Sequence, residues 1–386
     1  MKKVKGLARV LVYFFILVFI AGSFSCSGGG DGHSNNSSIS QADLEGTWNI
    51  QRLESGSTNA WGRFNVTVNS SGNLTFNSCE ESSGSTTCPT HTIVWTIDED
   101  TGVITETDNG TATDAHYAIA SNGKFIAGTS TGSSQLFVAQ KRVSGTTYSA
   151  SDVQGKSWVF HELSAGANPR WSYGNGTIAA NGAMTITNET DPSGTDTPGA
   201  TGMTIAVNTS GIVTMTGGPG AESMATYQGF LSDDKKTIVG TYTDSDEEYR
   251  LLIIQITTGQ TGNSTSQRAG TARNHTLQVG TAPAPFWEHF TINTTSTGVM
   301  SYSDWVSQNN VSSAPSGTRT ISISSTGVAT AASNPSFHGQ LSFDGTFMVA
   351  TETRGTGVYG MHVIVLTDAA DGSSSKGDAI MLIISI

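Results

Sequence analysis

Residues 60–76 read AWGRFNVTVNSSGNLTF, with Trp61 eleven residues ahead of Gly72. The same interval separates Trp171 from Gly182 in RWSYGNGTIAANGAMTI (170–186), and Trp287 from Gly298 in FWEHFTINTTSTGVMSY (286–302). A second glycine follows each pair in TIDEDTGVIT, TIAVNTSGIVT and TISISSTGVAT, at Gly102, Gly211 and Gly327. A third marker is the turn and strand IASNGKFIAGT, LSDDKKTIVGT and LSFDGTFMVAT, and each copy closes on an apolar run: LFVAQ, LLIIQI or MHVIVL. Markers in one order at near-constant spacing identify an internal triplication.

The second copy parses into eight strands, SWVFHEL, WSYGNGTIA, MTITNE, MTIAVN, IVTMTG, TYQGFL, TIVGTYT and RLLIIQI. Strands 2–3, 4–5 and 6–7 join through tight turns such as AANG, NTSG and SDDK, where Gly and Asn tolerate positive φ. The remaining links are longer and variable, so hairpins close one end and diverse loops crown the other. Phe64, Val66 and Val68 alternate with Asn65 and Thr67, the period-two signature of one buried and one wet face. The expected fold is all-β: three tandem eight-stranded antiparallel meanders, each closing as an up-and-down barrel. The alternative is a six-bladed β-propeller sharing out the same 24 strands. Trp61, Trp171 and Trp287 begin strand 2 beside the variable loops, either as plugs over the barrel mouths or as stacking platforms for a ligand.

Ahead of the repeats, Lys2, Lys3, Lys5 and Arg9 precede the apolar run VLVYFFILVFIA (10–21), too short for a membrane span of about 20 residues. GSFSCSGGG follows. This stretch resembles a bacterial lipoprotein signal, with departures at Ser23, where Leu is usual, and Phe24, where a small residue is usual. The resemblance implies cleavage after residue 25, lipidation of Cys26, and, because Ser27 follows the cysteine, an outer-membrane address. The expected organisation is a signal peptide over 1–25, a lipidated cysteine and flexible tether over 26–42, and β units over 43–142, 153–258 and 271–386. The last includes an additional C-terminal strand (379–386). Cys79 and Cys88 remain to pair in an exported compartment.

LEGTWNI, with Gly46 and Trp48 opening an eight-strand meander, resembles the start of the calycins: lipocalins, fatty-acid-binding proteins and avidins. The third copy departs from it, with Thr276 and Leu277 where a Trp is expected, and no ligand residue carries over.

Only 13% of residues are charged, and removing the four signal-peptide cations takes the formal charge from −12 to −16. That excludes nucleic acid as a partner and weakens direct binding to anionic surfaces. There is no G-x-S-x-G elbow, P-loop or H-E-x-x-H motif, and no catalytic residue is assigned. His116, Gln228 and His338 share one position in the repeat, and a His-to-Gln exchange suits hydrogen bonding better than metal ligation. Acidic loops at 98–100, 191–196 and 244–248 lack the EF-hand layout and read as solvated. No metal or cofactor is expected. The function these features favour is a lipid-anchored, non-catalytic binding or scaffold protein in contact with a glycan, an apolar ligand or an envelope protein. The alternatives are a propeller-type hydrolase acting on an envelope polymer and a purely structural spacer.

Overall fold

The structure, a computed structural model, describes residues 39–130, 134–218, 224–244, 248–281, 286–308 and 318–367. Helix α1 (Gln41–Leu44) leads into the first unit: β1 (Gly46–Ser55), β2 (Ala60–Val68), β3 (Leu74–Glu81), β4 (Ile93–Ile97), β5 (Val103–Asp108), β6 (Thr111–Ile119), β7 (Phe125–Ser130) and β8 (Ser134–Arg142). The second holds β9 (Lys156–Ala165), β10 (Arg170–Ile178), β11 (Ala183–Asp191), β12 (Gly194–Asp196), β13 (Gly199–Val207), β14 (Ile212–Thr216), β15 (Gln228–Leu231), β16 (Thr237–Thr243) and β17 (Tyr249–Ile256). The third holds β18 (Gly270–Gly280), β19 (Phe286–Thr294), β20 (Val299–Ser307), β21 (Arg319–Ile323), β22 (Val328–Ala331), β23 (Asn334–Leu341), β24 (Phe347–Gly355) and β25 (Val358–Leu366).

Each unit is an antiparallel meander whose last strand returns to pair with its first, which rules out propeller blades. The third unit is a closed barrel, and the second closes where β11 meets β13, with β12 a short hairpin extension. The first stays open between β3 and β4, which touch at the single bridge Asn73–Val94. In register, Leu53, Leu163 and Leu277 correspond, each facing the last strand at Leu136, Leu251 and Met361. Ala272, not Thr276, therefore stands where Trp48 and Trp158 stand in the other units. Residues 368–386, with the expected extra strand, lie outside the described residues.

The eleven-residue interval is one strand plus one turn. Gly72, Gly182 and Gly298 take φ of +80°, +84° and +83° at the hairpin tip. Their carbonyls accept the N–H groups of Trp95, Ile205 and Ile321 on the strand across the seam, at 2.9, 2.9 and 3.0 Å. A Cβ at these glycines would lie 2.0, 2.6 and 2.2 Å from the carbonyl oxygens of those same residues. Glycine is required twice over, for the positive φ and for the close approach.

Each unit has an apolar interior, built for instance around Trp48 and Val66, Phe160 and Ile254, or Phe290 and Ile364. A fourth core belongs to all three units. Leu53, Phe125, Leu136 and Val138 pack with Leu163, Val239, Leu251 and Ile253, and with Leu277, Phe347, Val349 and Val363. Phe125 and Phe347 stack at 4.8 Å. The first and last two strands of every meander are thus buried on both faces, and the units are joined by packing as well as by chain.

Around this core run three equivalent polar contacts, first unit onto second, second onto third, and third back onto first. Thr241 Oγ1 donates to Gln51 Oε1 at 2.9 Å; His161 Nδ1 bonds Thr351 Oγ1 at 3.3 Å; His275 Nδ1 bonds Thr129 Oγ1 at 3.3 Å. Such head-to-tail interfaces are self-limiting when the rotation closes, as it does here within one chain. Burial pushes His161 and His275 well below the usual imidazole range, His338 down to about 4 and His289 to about 3; neighbouring imidazoles add to this for all but His338. Burial lowers His116 too. Arg273 opposes charging of His275 and His289, while Asp304 and Asp114 weakly favour it at His289 and His116.

These rings are neutral in the fold, so the unfolded chain takes up protons first as pH falls. The stability they contribute is complete above the unfolded value of about 6.5 and is lost as pH drops toward 4 and 3, by up to about 1.4 kcal/mol per ring for each pH unit. Denaturant midpoints between pH 7.5 and 5 are expected to fall steeply for the wild type. They should fall less for His161→Gln with His275→Gln, which copies Gln51 into both positions; identical profiles would refute the assignment.

Candidate functional site

The residues singled out by sequence go to different places. Cys26 lies outside the described residues. Cys79 and Cys88 are disulfide-bonded, with Cα atoms 5.3 Å apart. Trp61, Trp171 and Trp287 point outward from their barrels and are buried between units, at 4%, 3% and 0% exposure. Trp61 Nε1 donates to Thr243 Oγ1 of the second unit at 2.7 Å, and Trp171 Nε1 to Thr353 Oγ1 of the third at 2.9 Å. Trp287 packs against His116 of the first unit with ring centroids 5.5 Å apart. The residue two places on covers the same seam: Arg63 over Trp61 at 3.9 Å, Tyr173 stacked on His338 at 3.7 Å, His289 against His116 at 4.2 Å. His116 and His338 are therefore partners of the neighbouring unit. Among the described residues no three His, Cys, Asp or Glu side chains are placed to hold a metal ion.

What the structure brings together instead lies inside the barrels. The first encloses a cavity of about 540 Å³ and the second one of about 450 Å³, whereas the third retains about 30 Å³. The difference traces to side-chain volume at equivalent positions. Two inward positions of strand 2 hold Phe64 and Val66 in the first unit, Gly174 and Gly176 in the second, and Phe290 and Ile292 in the third. Phe290 then stacks on Trp305 at 4.2 Å and, with Phe337, fills the third interior; the position of Phe337 is Ala115 in the first unit.

Apolar side chains form most of the first chamber's wall, among them Ile50, Phe64, Phe76, Ile93, Trp95 and Phe137. Several of its polar groups are paired. Arg52 Nη2 meets Glu81 at 3.1 Å, and Glu106 accepts from Trp95 Nε1 at 2.9 Å and from Thr113 at 3.1 Å. Burial, and then Glu106 beside it, push the Tyr117 phenol well above its ordinary range, so it stays protonated. Thr87, Cys88, Pro89 and His91 line the chamber where β3 and β4 fail to pair, so the disulfide-tied segment 82–92 serves as the missing wall.

Within the second chamber a sleeve of Trp158, Phe160, Met184, Met203, Met215 and Met224 lies below a rim bearing Glu189, Asp191 and Asp196. Between them Glu162 binds Arg250 at 2.8 Å and accepts from Tyr242 at 2.6 Å, while Arg250 also pairs with Asp244. Asp244 and Glu248, read from sequence as a solvated loop, are buried at 7% and 3% exposure, and Glu248 accepts from Ser164 at 2.9 Å and from the Asn168 N–H at 2.6 Å. In the third unit, against the effect of burial, His362, Arg354 and Arg319 hold the Glu352 carboxyl down at about 2, and Glu288 pairs with Arg354. Glu288 faces inward and His289 outward, as adjacent residues on a strand must.

No family model and no curated protein matches the chain. Among solved structures, a protein of unknown function of the DUF3598 family from Nostoc punctiforme is similar over 56% of this chain and 99% of its own, at 9% identity and a TM-score of 0.22. The isotype 1 transferrin binding protein B of serogroup B Neisseria meningitidis is similar over 82% of this chain and 75% of its own, at 10% identity and a TM-score of 0.23.

The disulfide closes a short loop, and its loss should cost about 2–3 kcal/mol. Hydrogen exchange in residues 82–92 is expected to accelerate in the Cys79→Ser, Cys88→Ser variant while the second and third units keep their protection. Unchanged exchange there would show that the wall holds without the bond.

Proposed function

We propose that this is a lipid-anchored, non-catalytic binding protein that holds small apolar ligands in the interiors of its first two barrels, with the third barrel as a filled structural member. One observation carries the reading: three copies of one scaffold differ in whether they are hollow. A spacer would gain stability from filling every interior, because an unfilled cavity forfeits contacts. The two chambers instead keep volumes in the range of small-molecule sites, the first apolar on most of its wall and the second an apolar sleeve that opens onto a polar rim.

The anchor belongs to the same proposal. Cleavage after residue 25, lipid on Cys26 and a Gly/Ser/Asn tether would set the barrels at the outer membrane, within reach of apolar molecules that partition there. The tryptophans at 61, 171 and 287 serve this function indirectly, Trp61 by locking the two hollow barrels together and Trp171 and Trp287 by locking them to the filled one.

A fluorescent apolar probe such as N-phenylnaphthylamine is expected to bind the soluble chain with a stoichiometry of two. Ala115→Phe, which copies the filling residue Phe337, should reduce it to one; no binding, or two sites in the variant, would defeat the chamber reading. Radiolabelled palmitate should enter the wild type and not Cys26→Ala, and equal labelling would remove the anchor.

A further inference from the structure

Glu106 differs from the other carboxylates inside the barrels in that no cation among the described residues forms an ion pair with it. In the second interior Glu162 has Arg250, and in the third Glu288 and Glu352 have Arg354. Glu106 is held by neutral donors instead. Trp95 Nε1 donates to Oε2 at 2.9 Å and Thr113 Oγ1 to Oε1 at 3.1 Å, with the Tyr117 phenol beside them. Counted from the repeat glycines Gly102, Gly211 and Gly327, its position is Met215 in the second copy and Ala331 in the third, both in apolar interiors. The scaffold therefore needs no acid there. A carboxylate without a counter-charge on an apolar wall is costly, and of its roughly four acceptor sites these donors leave at least one open.

We infer that the first chamber takes an organic ammonium ion, its charged nitrogen against Glu106 and its apolar body along Phe64, Phe76 and Phe137. This rests on the chamber reading above and names the ligand class for one of the two chambers. Trp95 and Tyr117 are buried, whereas Glu106 and the three phenylalanine rings are only half-buried and line the chamber. Tyr117 carries the ring surface from the carboxylate on to Phe137, with centroids 5.5 Å apart. Aromatic faces attract cations through their quadrupoles, and one of these already does so: the Arg52 guanidinium lies 5.4 Å from the centre of Phe64. Arg52 does not offset Glu106, because it sits between Glu81 at 3.1 Å and Glu54 at 3.7 Å. Asp114 adds negative charge to the lining, and His91 lies 3.7 Å from Asp108. An anion of the same shape would meet Glu106, Glu81 and Asp114 and is repelled.

The test uses phenyltrimethylammonium, its uncharged isostere tert-butylbenzene, and benzenesulfonate, so that charge varies at nearly constant shape. Calorimetry on the soluble chain reads the site that Ala115→Phe fills. A chamber with no receptor for charge would prefer the isostere by orders of magnitude, since the ammonium must give up its hydration. The wild type is expected to hold the cation at least as tightly as the isostere and to leave benzenesulfonate unbound. Glu106→Gln, which keeps the shape and an acceptor for Trp95, should shift the cation-to-isostere ratio about tenfold toward the isostere. Exclusion of the cation, a wild-type preference for tert-butylbenzene, benzenesulfonate binding as tightly as the cation, or an unshifted ratio in the variant overturns this inference while leaving the chambers standing. Entry of none of the three, with the naphthylamine probe excluded as well, overturns the chamber reading and this inference with it.

Discussion

The constraint on which the molecule depends is that the first and last two strands of each meander have no wet face. Leu53, Leu163 and Leu277 point away from their own barrels into a core that belongs to none of them. At roughly 25 cal/mol for each Å² of apolar surface removed from water, a core with contributors from eleven strands outweighs any single polar contact at its edge. The polar ring of threonines, imidazoles and indoles then fixes which faces meet, since each buried donor must find its acceptor or be penalised. Three similar surfaces, each contacting the next, close on themselves and leave no sticky fourth face.

That division of labour frees the remaining strands. Away from the seams, strands 2 to 6 of each unit have one face toward water, so their inward side chains can vary without disturbing the joint. Glycine at 174 and 176 in place of Phe290 and Ile292, or Ala115 in place of Phe337, changes an interior from packed to hollow on an unchanged skeleton. The joint between strands 3 and 4 is the weakest in the first and third copies, with a single bridge in one and two paired positions in the other, and in the second it carries a register shift. It is also where the variable loops reach the two chambers.

Buried charge inside the barrels follows the same logic. Glu162, Arg250 and Asp244 form one network, as do Glu352, Arg354, Arg319 and His362. Pairs of this kind add little net stability against apolar replacements, but breaking one partner out leaves an expensive lone charge. They hold the inner surface in one arrangement, which a site needs more than it needs stability.

The sequence by itself determined the local geometry. Strand number, hairpin positions and the threefold repeat were legible because turns at Gly72, Gly182 and Gly298 are dictated by φ and by contacts to the next strand, and period two reports which side chains share a face. The Cys79–Cys88 pair was legible from its isolation. What covers each outer face was decided by tertiary structure alone. The runs LLIIQI and MHVIVL carried a trace of it, since strands with continuous apolar residues are covered on both sides, yet a pattern along one strand cannot say by what. The same limit misplaced Thr276 against Trp48, left Trp61, Trp171 and Trp287 between two readings, and made Asp244 and Glu248 look solvated. Whether a barrel is hollow is more remote still, because a cavity is the difference between the space eight strands enclose and the summed volume of the side chains they turn inward.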